Sequence, residues 1–425
     1  MSTSTDRPTE HGGSSPRREG VDATPRGVTN LDWLIIGGGI HGVHIAARLM
    51  KDAAVGPDRL RIVDPGRRLL ERWHDCTATT GMSHLRSPSV HNLDTDPLAM
   101  QRFAGREKDR PPGLFAAPYE RPSLSLFNDH CATIIDQLDL EALQIRSRAT
   151  ACIPETDAIR ILLSDERELR TRNVVLAIGA GEQPCWPDWA PRDHHRIHHV
   201  FDPGFDGWPS AEETVMVVGG GISAGHVALR LLDAGHRVHL LSRHALRSHR
   251  FDSDPGWLGP KYTTGFHQEP DPDRRRAVIT KARHRGSMPP EMIRAIKRAI
   301  GRKRIEWDQG EVSGLTAHAD RLSIEIEGES DLMVDRVLLA TGFDGRRPGG
   351  SLVDDLVACA SLRCARCGYP IVDESLRWHP GVFVSGPLAE LELGPVSRNI
   401  AGARRAAERI VAAAREDDVT MKSAG

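Results

Sequence analysis

Two stretches of this chain place three glycines in a row between a β-like run and a helix-like run. The first reads Leu34-Ile35-Ile36-Gly37-Gly38-Gly39-Ile40-His41-Gly42, followed by the apolar-periodic Val43 to Met50. The second reads Val215-Met216-Val217-Val218-Gly219-Gly220-Gly221-Ile222-Ser223-Ala224, followed by Val227 to Ala234. A strand, a tight glycine turn and a helix in that order leave the first N–H groups of the helix unpaired, and such a helix end receives a pyrophosphate. Gly37, Gly39 and Gly42 occupy the fingerprint positions of the first copy, and Gly219, Gly221 and Ala224 those of the second. Two dinucleotide sites in one chain point to two dinucleotides exchanging electrons.

The residues that follow separate the two sites. Arg59 to Asp64 reads as a second strand ending in an acid, at the spacing expected of a ribose 2′-OH ligand. A plain turn acid at a strand end is the other reading of Asp64. In the second copy, Arg237 to Leu241 reads as the matching strand, but it ends in Ser242-Arg243. A carboxylate there would repel a 2′-phosphate, whereas a guanidinium binds one bidentately. The first site is therefore FAD- or NAD-like and the second NADP-like.

These residues need a scaffold, and the chain has the length for one. Its 425 residues suffice for two or three domains with proper cores, and 39% hydrophobic and 27% charged residues are ordinary for a soluble globular protein. A formal net charge of -2 argues neither for nucleic acid nor for an acidic partner, so no nucleic-acid partner is expected, and no apolar stretch approaches the ~20 residues that span a bilayer. Residues 1–29 are rich in Ser, Thr, Gly, Pro and charge, with no apolar core of a signal peptide, and read as a disordered tail. Seven scattered cysteines do not make a disulfide framework, so a reduced, cytoplasmic protein is expected. Cys364 and Cys367 have the redox spacing, but a four-thiolate zinc site would need a second pair, and no metal site is expected.

Along the chain, Leu70 to Met100 is rich in Thr, Ser, His and Pro and reads as irregular. Leu124 to Leu138 reads as a helix, and Ile159 to Leu163 and Asn173 to Ile178 as strands. Gly181 to Ser210, dense in Pro, Trp and His, reads as a linker. Pro289 to Ile300 opens as a helix with proline in its first turn. The basic residues around it, Arg274 to Arg276, Lys281, Arg283, Arg285 and Lys297 to Arg304, read as a solvated face rather than an anion site. Arg321 to Glu327, Val334 to Leu339 and Val382 to Gly386 read as strands, and Asn399 to Ala414 as an amphipathic last helix.

With Leu339-Ala340-Thr341-Gly342-Phe343 as a third element, the two glycine turns resemble the superfamily of flavin-containing monooxygenases, Baeyer–Villiger monooxygenases and ornithine/lysine N-hydroxylases. The resemblance spans Leu31 to Ala414. It implies an α/β fold of two Rossmann-like dinucleotide-binding domains, the NADPH domain inserted into a discontinuous FAD domain. Transferred here, residues 30–205 and 335–415 would form the FAD domain, 206–334 the NADPH domain, and 416–425 a second disordered tail. Gly37, Gly39 and Gly42 would face the FAD pyrophosphate and Asp64 its ribose. Gly219, Gly221 and Ala224 would face NADPH, with Arg243 on its 2′-phosphate. Thr341 and Gly342 would close the nucleotide-binding units. The turn at Gly386, followed by Gly394-Pro395, would place backbone amides near the flavin pyrimidine, and Trp73 and Arg86 would lie in the stretch that lines the flavin.

The same resemblance implies hydride transfer from NADPH to the flavin, then transfer of one oxygen atom from O2, by way of a C4a-peroxyflavin, to a nitrogen or sulfur of a small-molecule substrate. No catalytic dyad is apparent. Phe251 to Pro260 sits where N-hydroxylases carry an acid-Ser-Pro-Phe run, but their Asn-Glu pair is missing, which argues against ornithine or lysine as substrate. His198 and His199 are candidates for the histidine of the flavin-monooxygenase signature, whose Phe and Gly are absent. The alternative is an NAD(P)H-dependent flavin disulfide or electron-transfer reductase using Cys364 and Cys367. In thioredoxin reductases, however, the cysteine pair lies within the NADPH domain, whereas this pair follows it.

Overall fold

A computed structural model describes residues 30–328 and 331–424; the tail expected over residues 1–29 lies outside them, as does residue 425. The first unit begins with β1 (Asn30–Ile36), α1 (Ile40–Asp52), β2 (Leu60–Asp64) and α2 (Glu71–Thr80). It continues through α3 (Leu124–Gln137), β3 (Gln144–Arg146), an antiparallel hairpin of Ala149–Pro154 and Ile159–Leu163, and β4 (Glu168–Leu176). A second parallel sheet follows. It comprises β5 (Ile197–His199), β6 (Thr214–Val218) leading into α4 (Ile222–Asp233), β7 (Arg237–Ser242), β8 (Ile305–Gln309) and β9 (Arg336–Leu339), with α5 (Pro272–Ala282) outside it. The chain then returns to the first sheet with β10 (Arg377–His379) and β11 (Val382–Val384) and ends in α6 (Glu390–Leu393) and α7 (Ile400–Ala424).

The first sheet runs β10-β11-β4-β1-β2-β3, with the hairpin attached to β4; the second runs β8-β7-β6-β9-β5. Both central strands are apolar on both faces, as strands covered by helices on each side must be. Leu34, Ile35, Val215 and Val217 are fully buried. In the first sheet Ile35 lies beside Ile62 and Val175; in the second Val217 lies beside Leu240 and Leu338. The buried face of α1, including Val43, Ile45, Ala46 and Leu49, packs with Ala407, Ile410 and Val411 of α7. The end of the chain thereby covers the start of the fold.

Several boundaries differ from the sequence reading. The stretch from Leu70 to Met100 contains α2 and a short helix at Ala99–Phe103. No apolar stripe announces α2, because its two buried residues are Thr77 and Thr80, whose hydroxyls donate to the carbonyls of Trp73 and Cys76. The expected strand Val334–Leu339 is two: Leu332–Val334 joins a three-stranded antiparallel sheet, and β9 starts at Arg336. Both β5 and β9 hydrogen-bond into the second sheet, so the boundaries expected at 205 and 334 cut through it. The last helix runs past Ala414 and through 416–424, where a tail was expected, since no Gly or Pro interrupts the sequence between 403 and 424.

Long-range arginines tie the two units together. Arg230 of α4 caps the end of α2, donating to the carbonyls of Ala78 at 2.7 Å and Thr79 at 2.9 Å while lying over Trp208. Arg72 of α2 donates to Gly181 at 2.7 Å and to the Phe201 carbonyl. Arg86 donates to the carbonyls of His249, Arg250 and Phe251 at 2.6, 2.8 and 2.9 Å and to the Ser287 hydroxyl at 3.0 Å. Bonds to a charged donor contribute more than neutral ones, and a carbonyl stranded without water costs further. Arg86→Ala is expected to lower unfolding free energy by about 2 to 3 kcal/mol. Arg86→Lys, which cannot fork, should fall between it and the parent. Urea titrations followed by circular dichroism measure both.

Candidate functional site

The two glycine turns have the same construction at the carboxyl ends of their sheets. Gly37 takes a φ of +114° and Gly219 a φ of +149°, backbone that L side chains rarely adopt. A Cβ on Gly37 would stand 2.4 Å from the Ala177 carbonyl oxygen, and one on Gly219 2.5 Å from that of Ala340. A Cβ on Gly42 would fall 1.8 Å from the Gly37 carbonyl oxygen, so helix and turn touch there. Ala224 holds the matching place in the second copy and is fully buried. Gly39 and Gly221 cap α1 and α4, with no side chain capping either helix and no acid in either first turn. By contrast, α3 and α5 are capped by Ser123 and Asp271. Nothing lies within 4 Å of where a Gly39 Cβ would be. Both turns thus present bare N–H groups at the positive end of a helix, a cradle with the chemistry of an anion site.

Around the first turn, Asp64 accepts from the Gly38 amide at 2.6 Å and the Gly66 amide at 2.8 Å, which fixes its carboxylate at the edge of the cradle. His41, which the sequence reading passed over, shares a 2.8 Å hydrogen bond between its Nδ1 and Ser385 Oγ. Its Nε2 is buried without a partner among the described residues. Burial lowers its pKa to about 4, so it is neutral near pH 7. Gly386, at a φ of +63°, lies against the His41 ring, and its carbonyl accepts from Ser397. The late turn at Gly386 therefore lies against the first glycine turn, and Pro395 is buried in the segment behind it. The signal for His41 was its place inside the turn, one residue before Gly42.

Around the second turn, Arg243 follows β7 directly and is exposed, with no ion pair among the described residues. His244 packs against Gly220 and Gly286, and Gly286 in turn lies against Gly221. Thr341 donates to the Cys185 carbonyl and meets His199 Nε2 at 3.0 Å; Gly342 has a φ of +80°. Burial lowers His199 to about 4.

Two residues expected at the flavin have other partners. The Trp73 indole N–H donates to Asn128 Oδ1 at 2.9 Å, and its ring packs on Phe127 of α3. Arg86 spends Nε and Nη2 on the carbonyls that join the units. Cys364 and Cys367 are unbonded thiols on a hairpin closed by a bridge between Cys364 and Pro370. Among the described residues, no three His, Cys, Asp or Glu side chains form a metal-ligand set.

The basic stretch read as a solvated face points partly inward. Glu390, with 1% of its side chain exposed, accepts from Arg276 at 2.9 Å, Arg283 at 3.2 Å and Arg398 at 2.7 Å. Arg398 also donates to Tyr369 Oη at 2.8 Å, and Arg276 lies over the Tyr369 ring. Burial alone would raise the pKa of Glu390. The Arg398 hydrogen bond and the charges of Arg398, Arg283 and Arg276 outweigh it and hold the carboxyl at about 2. Their common carboxylate lies too far along the sequence for local charge patterning to reveal it.

The family described as pyridine nucleotide-disulphide oxidoreductase matches residues 31–416. No curated protein matches the sequence. Among solved structures, the chain is similar to an ornithine N-hydroxylase of Kutzneria sp. 744 in a complex named for reduced FAD, NADP+ and L-ornithine. Identity is 19%, the alignment covers 92% of this chain and 100% of that one, and the TM-score is 0.75. It is similar to an ornithine hydroxylase of Pseudomonas aeruginosa, at 18% identity, 91% and 99% coverage and a TM-score of 0.73. An L-lysine 6-monooxygenase of Pseudomonas syringae gives 19%, 91%, 99% and 0.68. Likeness at these identities shows the fold: two Rossmann-like units in a mixed α/β chain.

Glu390→Gln is expected to cost about 3 to 5 kcal/mol at pH 7, because three inward guanidiniums lose their counter-charge. Glu390 is depressed from its ordinary 4.5 to about 2, so its stabilisation is complete above pH 4.5 and lost as pH falls through 2. The gap between parent and variant should therefore narrow across that window in denaturant titrations. A gap that stays constant would refute this account of the cluster.

Proposed function

This chain belongs to the pyridine nucleotide-disulphide oxidoreductase family, and from that premise we propose that it is an FAD-dependent, NADPH-consuming monooxygenase that adds one oxygen atom from O2 to a nitrogen or sulfur of a small molecule. The observation that carries the reading is the pair of bare helix N-termini, one at each parallel sheet, in a fold like that of the N-hydroxylases. The complex named for reduced FAD, NADP+ and L-ornithine supports the choice of nucleotides.

In this reading Gly37, Gly39 and Gly42 admit the FAD pyrophosphate to the α1 N–H groups, and Asp64 binds its ribose. Gly219, Gly221 and Ala224 do the same for NADPH, with Arg243 on the 2′-phosphate. Thr341 and Gly342 shape the turn closing on Gly219, and Gly386 and Pro395 shape the segment facing the flavin. The FAD unit is discontinuous, made by the chain's two flanks around the second sheet. When bound, the flavin supplies the hydride acceptor and the oxygen chemistry. The protein's own part is positioning and exclusion of water. Helix dipoles offset phosphate charge, and a neutral His41, fixed by Ser385, places no cation beside the first cradle. No helix among the described residues is long and apolar enough to cross a membrane.

Purified protein should be yellow or become so with FAD, bleach with NADPH under nitrogen, and on admission of air consume O2 in step with a product that gains one oxygen from ¹⁸O2. Protein that stays colourless with FAD, or that NADPH cannot bleach, would contradict the proposal. Arg243→Ala should raise the KM for NADPH about tenfold or more, the loss of a charged hydrogen-bond pair, and leave that for NADH unchanged.

A further inference from the structure

The arginines around Glu390 outnumber the acids that answer them. Arg276, Arg283 and Arg398 converge on Glu390, and Arg283 also reaches Asp252 at 3.1 Å. A fourth, Arg285, has no hydrogen bond or ion pair among the described residues. Four guanidiniums therefore face two carboxylates. Nε of Arg276 and Nε of Arg283 are also buried without an acceptor. Buried donors left without an acceptor are costly, whereas Arg285 is exposed and its guanidinium is open to an external anion.

Arg285 occupies a particular place. Its neighbour Gly286 lies against Gly221, so the loop borders the second glycine turn. Its two terminal nitrogens lie 3.6 and 3.7 Å from where a Cβ on Gly345 would be, in the loop beyond Gly342. Arg283, Arg398 and Glu390 act on it electrostatically, the last two from the segment that follows the Gly386 turn. Arg285 is exposed, and partial desolvation together with the charges of Arg283 and Arg398 lowers its pKa, as expected of a cation crowded by cations.

We propose that Arg285, backed by Arg283 and Arg398, is an anion-binding position where the two units meet, taking a carboxylate or phosphate oxygen of a bound ligand. The assignment rests on the monooxygenase reading for the identity of the ligands: either the nicotinamide nucleotide brings a phosphate or the substrate brings a carboxylate. A guanidinium suits both, since its fork matches two oxygens of either group.

The test uses the flavin-loaded full chain and its Arg285→Gln and Arg285→Lys variants, first matched for flavin content and circular dichroism. Dissociation constants are measured for NADP+, inorganic pyrophosphate, 5-aminovalerate and pentylamine, the last two differing only in the carboxylate. A loss of tenfold or more for NADP+ and pyrophosphate in Arg285→Gln, partly restored in Arg285→Lys, assigns the position to the nucleotide. A loss confined to 5-aminovalerate, with pentylamine and NADP+ unchanged, assigns it to a substrate carboxylate. Equal constants in parent and Arg285→Gln for every anion, or no anion bound by the parent, overturn the proposal. A parent that binds pyrophosphate through Arg285 but not NADP+ would keep the anion site and sink the NADPH reading.

Discussion

A helix can aim its first N–H groups at a ligand only if the turn that feeds it stays out of the way, and both glycine turns obey this constraint. At Gly42 the helix touches the turn so closely that even a methyl group would overlap the Gly37 carbonyl. The second copy is slightly looser, since Ala224 keeps its methyl there. Each helix end carries roughly half a positive charge, and neither is neutralised by a cap. The two ends bring no anion of their own. They have that character because the sequence omits the Ser, Asp or Glu that stabilises an ordinary helix start.

Holding two such ends in one molecule falls to arginine. Arg72, Arg86 and Arg230 each reach carbonyls far away in sequence, and Arg276, Arg283 and Arg398 converge on one buried carboxylate. A planar guanidinium with several donors can bind carbonyls from separate segments at once, which a lysine cannot. The Glu390 cluster joins α5, in the middle of the chain, to the segment after Gly386, near its end. It couples the second unit to the part of the first that lies against His41.

The legible part of the site was the local part. Gly37, Gly39, Gly42, Gly219, Gly221 and Ala224 stand at fixed offsets between a strand and a helix, Asp64 ends the next strand of the first unit and Arg243 directly follows that of the second, so spacing alone singled them out. The partners of Trp73 and Arg86 were not legible, because sequence shows only their neighbourhood. Once α2 folds, Trp73 faces α3, and Arg86 is drawn to carbonyls of a loop more than a hundred positions away. Helix α2 itself was hidden because threonines, satisfied within the helix, occupy its buried face.

From the residues by themselves came the two βα units, their order, the contrast between an acid and an arginine after them, and the family they resemble. Each depends on contacts within one turn or on strand periodicity, which are written in adjacent positions. Which strands belong to which sheet, the meeting of His41 with Ser385, the inward turn of a basic run onto Glu390 and the unpaired state of Arg285 were settled only by the fold. Those depend on pairing groups separated by dozens to hundreds of positions, and a charged side chain carries no local mark of where its partner lies.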